Sequence, residues 1–179
     1  MIDDFQPRYG LQSHRHWGSK WGILFGIQLA DLLLLDTDFR FEYTFINQYT
    51  YTHKIPVNTY THLERPIGHH IGPDAQSIWA QIRHRWTSTF STELNLEIQY
   101  QGEQDINQAR DESRPAGEHW YYLSGSEEIR HTFELAGRFE QFSRFLIETK
   151  HKVTKIQNLN HQETQGLQQE FRLAFFYRF

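Results

Sequence analysis

The last nine residues, Phe171 to Phe179 (FRLAFFYRF), constrain the fold most. Side chains of a strand alternate between faces, so Phe171, Leu173, Phe175, Tyr177 and Phe179 share one side. Arg172, Ala174, Phe176 and Arg178 share the other. A strand that is oily on one side and largely polar on the other needs an apolar environment for a single face. Lipid outside a barrel wall supplies one. The interior of a soluble sandwich supplies the other.

Read with the same period, the chain resolves into six more strand candidates upstream. About Trp21 to Asp31, Ile23, Phe25, Ile27 and Leu29 keep step. About Asp36 to Tyr49, Phe39, Phe41, Tyr43 and Phe45 alternate with Arg40, Glu42 and Thr44. The third candidate is about Ser77 to Thr87, with Ile78, Ala80, Ile82 and Trp86 against Gln81, Arg83 and Arg85. The fourth, about Phe90 to Gln101, sets Leu94, Leu96, Ile98 and Tyr100 against Glu93, Asn95, Glu97 and Gln99. About Glu128 to Glu140 and about Ser143 to Ile156 complete the set, the latter weaker because Leu146 breaks its alternation. Each is close to the ~9–11 residues with which a tilted strand crosses hydrocarbon.

Composition is compatible with both environments and excludes others. Mean hydropathy is -0.71 and no run approaches the ~20 apolar residues of a spanning helix. A barrel wall escapes hydropathy, because only every second residue meets lipid. Aromatic residues make up 16%, which suits interfacial girdles and equally suits rings that stack on sugars. The net charge of -4 offers no basic excess for nucleic acid. The absence of cysteine removes disulfides and thiolate chemistry.

The connections alternate in length. Thr87 to Thr89 and Glu140 to Ser143 are tight, and Leu32 to Leu35 is short. Tyr49 to Gln76 and Gly102 to Glu127 are long, and Gln157 to Gly166 is intermediate. Short turns on one side and long loops on the other are the rhythm of outer-membrane barrels. The expected fold is therefore all-β, an antiparallel up-and-down transmembrane β-barrel. Residues 1–20 read as an N-terminal loop or partial strand, and residues 21–179 as barrel. Seven strands place the N-terminus on the outer side, whereas single-chain barrels have an even strand number. Met1 to Asp4 also has no secretory-signal character. The expectation is thus about seven or eight strands of a larger barrel, either a C-terminal portion or a gene begun at an internal methionine. An eighth strand within residues 5–20 is the alternative.

Charges on the strands fall in phase with the polar set: Arg40, Glu42, Arg83, Glu93, Glu134 and Lys152 are examples. An Arg or Lys facing lipid at midplane costs about 2–4 kcal/mol, so these side chains are expected to face the lumen. Their mixed signs favour a packed or plugged lumen over an ion-selective pore. His84, His131 and His151 fall in the lipid phase, which the barrel reading tolerates near an interface or at a bulge.

Two segments carry candidate chemistry. In Tyr60 to Asp74, the residues Gly68, Gly72 and Pro73 mark a tightly turned loop, with His69, His70 and Asp74 as its polar members. His62 and Glu64 nearby raise a metal reading, but adjacent histidines on an extended segment point apart. A zinc site needs three or four converging ligands. Hydrogen bonding within the loop is the simpler role, and contact of His69 and Asp74 with a ligand is the other. The second segment, Gly102 to Glu127, ends near Trp120, Tyr121 and Tyr122, which suit an interfacial girdle or a sugar. Asp105, Asp111, Glu112 and Glu118 fix no pair of carboxyls at glycosidase spacing. No cofactor, metal or catalytic residue is expected.

The terminal strand, closed by Phe179, looks like the last strand of an outer-membrane barrel. That resemblance implies that Phe171 to Phe179 is read by the barrel-insertion machinery. The loop resembles one in the Wzi-type capsule assembly family, which runs roughly G-H-x-I/L-G-P-D-A into a barrel strand. Here it reads Gly68-His69-His70-Ile71-Gly72-Pro73-Asp74-Ala75. Phe41-Glu42-Tyr43-Thr44 resembles an upstream family strand that carries E-Y. The resemblance spans about residues 20–179. It implies a non-enzymatic outer-membrane barrel that binds or anchors capsular or surface polysaccharide and aids capsule assembly, in contact with membrane lipid. Trp120, Tyr121, Tyr122, His69 and Asp74 are then the expected polysaccharide contacts. A porin-like channel and a soluble all-β carbohydrate-binding module are the rivals.

Overall fold

The computed structural model describes residues 2–4, 20–31, 34–53, 59, 61–62, 65–107, 123–141 and 145–177. Among these, β structure dominates and no α-helix occurs. Ten strands form: β1 (Ile2–Asp4), β2 (Lys20–Ala30), β3 (Thr37–Ile46), β4 (Thr61–His62), β5 (Arg65–Pro66), β6 (Ala75–Arg85), β7 (Phe90–Gln101), β8 (Glu128–Gln141), β9 (Phe145–Gln157) and β10 (Gln165–Tyr177). Eight make one sheet in the order β1-β2-β3-β6-β7-β8-β9-β10, and β4 and β5 make a small separate pair. Every pairing is antiparallel. Chain neighbours are sheet neighbours except where the β4–β5 hairpin intervenes, which is the up-and-down order expected of a barrel wall. The outermost strands, β1 and β10, are not paired with each other.

Several boundaries differ from expectation. The terminal strand begins at Gln165, six residues before Phe171, because Gln165 to Glu170 continue the ladder with β9. The eighth strand is Ile2–Asp4, which pairs with Lys20 and Trp21 of β2. Residues 5–19 and Arg178 and Phe179 lie outside the described residues. The long segment after β3 is not wholly irregular, since it contains the β4–β5 hairpin.

Register makes the sheet two-faced, as alternation requires. One cross-strand row runs Ile27–Phe41–Ala80–Leu96–Phe133–Val153–Gln169. The adjacent row on the other face runs Gln28–Arg40–Gln81–Asn95–Glu134–Lys152–Glu170. The apolar face is uncovered: Phe25 is 58% exposed and Phe171 69%. Water-exposed monomers rarely present contiguous apolar patches beyond a few hundred Å².

Amphipathic aromatics mark the two ends of that apolar face. Trp21, Tyr43 and Tyr100 lie toward the end with long connections, and Trp21 packs on Phe45 with ring centroids 5.2 Å apart. Trp86 and Tyr177 lie toward the end with short turns, where the Trp86 indole Nε1 donates to Thr92 Oγ1 at 2.8 Å. Phenylalanine and aliphatic residues fill most of the space between. Along β7, the stretch from Phe90 to Tyr100 spans about 33 Å at strand rise.

The three lipid-phase histidines do fall on this face. His84 is next to the end of β6, 2.7 Å from Thr37 Oγ1 and edge-on to Trp86. His131 is close to the start of β8, opposite Lys155 near the end of β9. His151 lies at the middle of β9, between Leu135 and Phe171. Leu146, the break in β9 periodicity, lies on the polar face opposite Glu140 and Phe176.

Buried apolar residues gather at the long-connection end: Ile46, Tyr49, Tyr51, Ile71, Ala75, Ile106 and Ile156. The wall itself has no second layer among the described residues. The segment after β3 folds back to form this small core, and its turns reach β2. Thr50 Oγ1 donates to Trp21 O at 3.0 Å, and Lys20 Nζ donates to Thr52 O at 2.8 Å.

Candidate functional site: the loop clamp and the polar cleft

Asp74 ends the Gly68–Asp74 loop and is fully buried. Its backbone is left-handed (φ 55°), a conformation that Asp tolerates better than most residues. Its carboxylate gathers segments distant in sequence. Oδ2 accepts from Gln104 N at 3.0 Å and from the Ser124 hydroxyl, and Oδ1 accepts from Ser124 N at 3.1 Å. The Asp74 carbonyl accepts from Gly102 N at 2.8 Å, and Gln101 Nε2 donates to Pro73 O at 2.8 Å. A Cβ at Gly102 would sit 2.1 Å from Asp74 Oδ2, so only glycine lets the two strand ends approach. Burial pushes the Asp74 carboxyl up, opposed by the Ser124 hydroxyl and the backbone N–H groups of Gln104 and Ser124.

His69 and His70 face the polar side of the sheet, and Ile71 joins the buried cluster at the loop end. Gly68 lies against the Tyr51 ring, where a Cβ would come within 2.3 Å. His69 N donates to the Tyr51 hydroxyl at 3.2 Å. Gly72 N donates to His69 O at 3.1 Å and closes the turn. That turn overturns one expectation: His69 and His70 do not point apart, because the segment is not extended there. Their rings lie side by side with centroids 4.4 Å apart. His69 Nε2 is 3.5 Å from Thr44 Oγ1, and His70 Nε2 is 3.8 Å from Glu97 Oε1. Burial, then the neighbouring His70, holds the His69 pKa below its ordinary value, against the pull of Glu42 and Glu97. Among the described residues, no three His, Asp or Glu side chains are placed to hold a metal ion.

The histidine pair opens onto a cavity of about 140 Å³, bounded by Glu42, Thr44, Ser77, Trp79 and Glu97. A second cavity, about 230 Å³, runs on across the polar face past Gln81, Asn95, Thr132, Glu134 and Lys152. Trp79 and Glu97 border both, so the two are compartments of one cleft. Its walls are internally bonded. Asn95 Nδ2 donates to Glu93 at 2.9 Å and Glu134 at 3.0 Å, and Gln81 Nε2 donates to Asn95 Oδ1 at 3.0 Å. Arg83 pairs with Glu93 at 2.6 Å, and Lys150 pairs with Glu134 at 2.8 Å. Ser77 Oγ donates to Glu97 at 2.8 Å. The Arg40 guanidinium stacks 5.2 Å from the Trp79 ring centroid. A third groove, about 530 Å³, lies toward the short turns and is lined by charges of both signs, including Asp36, Asp38, Arg85, Arg138 and Glu148.

Of the residues singled out from sequence, Asp74 makes the clamp with Gln104 and Ser124, and the loop that carries Gly68, Gly72 and Pro73 turns His69 and His70 toward the cleft. Trp120, Tyr121 and Tyr122 lie outside the described residues. Sequence reasoning passed over Trp79, although a signal was present: it is an aromatic at a position whose neighbours in phase, Gln81, Arg83 and Arg85, are polar.

Comparison with known proteins bears on this arrangement. The profile of the family described as capsule assembly protein Wzi matches residues 9–170. No curated protein and no solved structure matches the chain. With nearly its whole length covered by that profile, including the clamp loop and most of the sheet, the chain belongs to the Wzi capsule assembly family.

Proposed function

We propose that this protein is part of an outer-membrane barrel wall that holds capsular or surface polysaccharide during capsule assembly and carries out no chemistry on it. Family membership supports the capsule role. The observation that carries the membrane reading is the uncovered apolar face, bordered at both ends by Trp and Tyr and backed by a charged face. Lipid covers the apolar side and leaves the paired charges to the lumen. The connections clamped by Asp74 then form the outer rim, and Trp120, Tyr121 and Tyr122, from the second connection's sequence, are proposed glycan contacts. In this arrangement Asp74 acts indirectly, by holding the rim, and His69 and His70 face the cleft. A repeating polymer engages many weak sites at once, so modest contacts suffice. The segment Phe171 to Phe179 serves as the address for barrel insertion.

The test has two parts. The protein is refolded in detergent micelles and in plain buffer, and circular dichroism and heat-dependent gel migration are compared. The folded form is then mixed with capsular polysaccharide and co-sedimented. A detergent-dependent β signal with a heat shift, and retained polymer, are expected. A β-rich monodisperse protein in plain buffer would overturn the membrane reading and favour a soluble carbohydrate-binding module.

A further inference from the structure

We propose that the cleft around Trp79 is a sugar subsite selective for uncharged, hydroxyl-rich segments of the polymer. The inference rests on the polysaccharide reading above and assigns that reading a place and a chemical preference.

Three observations carry it. First, Trp79 stands on the polar face, where lipid contact cannot account for an indole. Its orientation is set in advance by the Arg40 stack. An aromatic face carries partial negative charge and attracts the electropositive C–H groups of a pyranose ring. Secondly, the groups around it are hydrogen-bond acceptors held in place. Glu93, Glu97 and Glu134 are already oriented by Asn95 and Ser77. Each carboxylate has lone pairs to spare for sugar hydroxyls. Because these acceptors are fixed beforehand, binding a hydroxyl costs little further ordering. Thirdly, the charge balance disfavours anions. The cleft presents Glu42, Glu93, Glu97 and Glu134. Arg40, Arg83 and Lys150 are already committed to Glu42, Glu93 and Glu134. Lys152, which lines the cleft, is engaged electrostatically by Glu97. A uronic acid would bring a carboxylate that finds these cations already engaged, and burying a charge without a partner is costly.

The experiment uses the full chain refolded in detergent micelles, with a heat-shifted gel band as proof of folding. The probe is an array of defined bacterial oligosaccharides, uncharged and uronic-acid-containing. Wild type is expected to retain uncharged members preferentially. Trp79→Ala should weaken that retention about tenfold, a loss of about 1.4 kcal/mol. Arg40→Gln, which removes the stack but keeps the ring, should stay within a few fold. Preference for uronic acids, or unchanged retention by a folded Trp79→Ala, would overturn the subsite and leave the polysaccharide reading standing. Loss in Arg40→Gln equal to that in Trp79→Ala would reduce Trp79 to a support for Arg40 and also overturn it. Retention of no member by wild type would overturn both. Should Trp79→Ala not fold, Gln81→Ala and Glu97→Gln supply the same comparison, each expected to lose retention severalfold. Unchanged retention by both would count against the subsite.

Discussion

The strand wall and the loop end of this molecule are held together by different means. In the wall, backbone ladders bind each strand to the next, and one face carries paired charges while the other is left bare. At the loop end, side chains do the joining. One buried carboxylate, at the end of the first long connection, gathers the start and the end of the second, and a third is tied in through Asn158 and Asn160. Asn158 Nδ2 donates to Glu127 O at 2.9 Å, and Asn160 N donates to Glu128 Oε2 at 2.7 Å. The wall depends on a repeating pattern in which any one side chain is a small part. The loop end depends on a few groups that have no substitutes.

That contrast can be broken deliberately. The largest effect is expected from a charge on the bare face. Phe41→Arg, in mid-strand, should cost about 2–4 kcal/mol in a bilayer. Gln28→Arg, in the next row on the other face, should cost far less. Denaturant titration of both variants in lipid vesicles checks this, and equal costs would remove the lipid assignment of the two faces. Next comes Asp74→Ala, which strands donors from Gln104 and Ser124. A loss of about 1.5–3 kcal/mol is expected, the worth of hydrogen bonds to a charged group. Hydrogen exchange should quicken at Gln104 and Ser124 while β7 and β8 keep their protection. Uniform loss across the sheet would mean that the loop end and the wall are not separable. A smaller effect is expected from Arg83→Ala. Its pair with Glu93 is 2.6 Å long, but the Arg83 side chain is 56% exposed, so solvent screening limits the change to below about 1 kcal/mol. A double-mutant cycle with Glu93→Gln measures it.

The smallest effect is a response to pH. The folded-state pKa of His69 lies below its ordinary value, so its contribution is present above the ordinary histidine range and is lost as pH falls through the lowered value. Asp74 runs the other way. Its raised pKa means that its contribution is full below the ordinary Asp range and declines as pH rises through the raised value. Mild acid should therefore loosen Gly68 to Ile71 around Tyr51, Glu42 and Glu97 without releasing Gln104 and Ser124. Amide exchange across the pH range resolves the two, and His69→Gln should flatten the first response.

The wall was legible in the sequence because its rule is local. Phe39, Phe41, Tyr43 and Phe45 announce their face two residues at a time, and the pairing with β6 follows that phase. Even the exceptions were visible: Leu146 was out of step and is on the polar side. The loop clamp was legible only in part. Gly68 and Gly72 advertised a tight turn, but nothing near Asp74 indicates Gln104 or Ser124, which lie 30 and 50 residues away. The pairing of His69 with His70 depended on a turn that reverses the alternation used elsewhere. Trp79 was obscured for a different reason, since an aromatic in a strand ordinarily counts toward the apolar set.

The ion pairs on the charged face have a consequence for anything that approaches it. Arg83 with Glu93, Lys150 with Glu134 and Arg138 with Glu148 cancel one another within a few ångströms. At distances beyond the Debye length of roughly 8 Å little field remains. Close to the surface the potential alternates in sign from pair to pair, a fine corrugation of shallow minima. Attraction to such a surface is therefore a matter of short-range contacts, made one at a time, and not of a field felt from a distance.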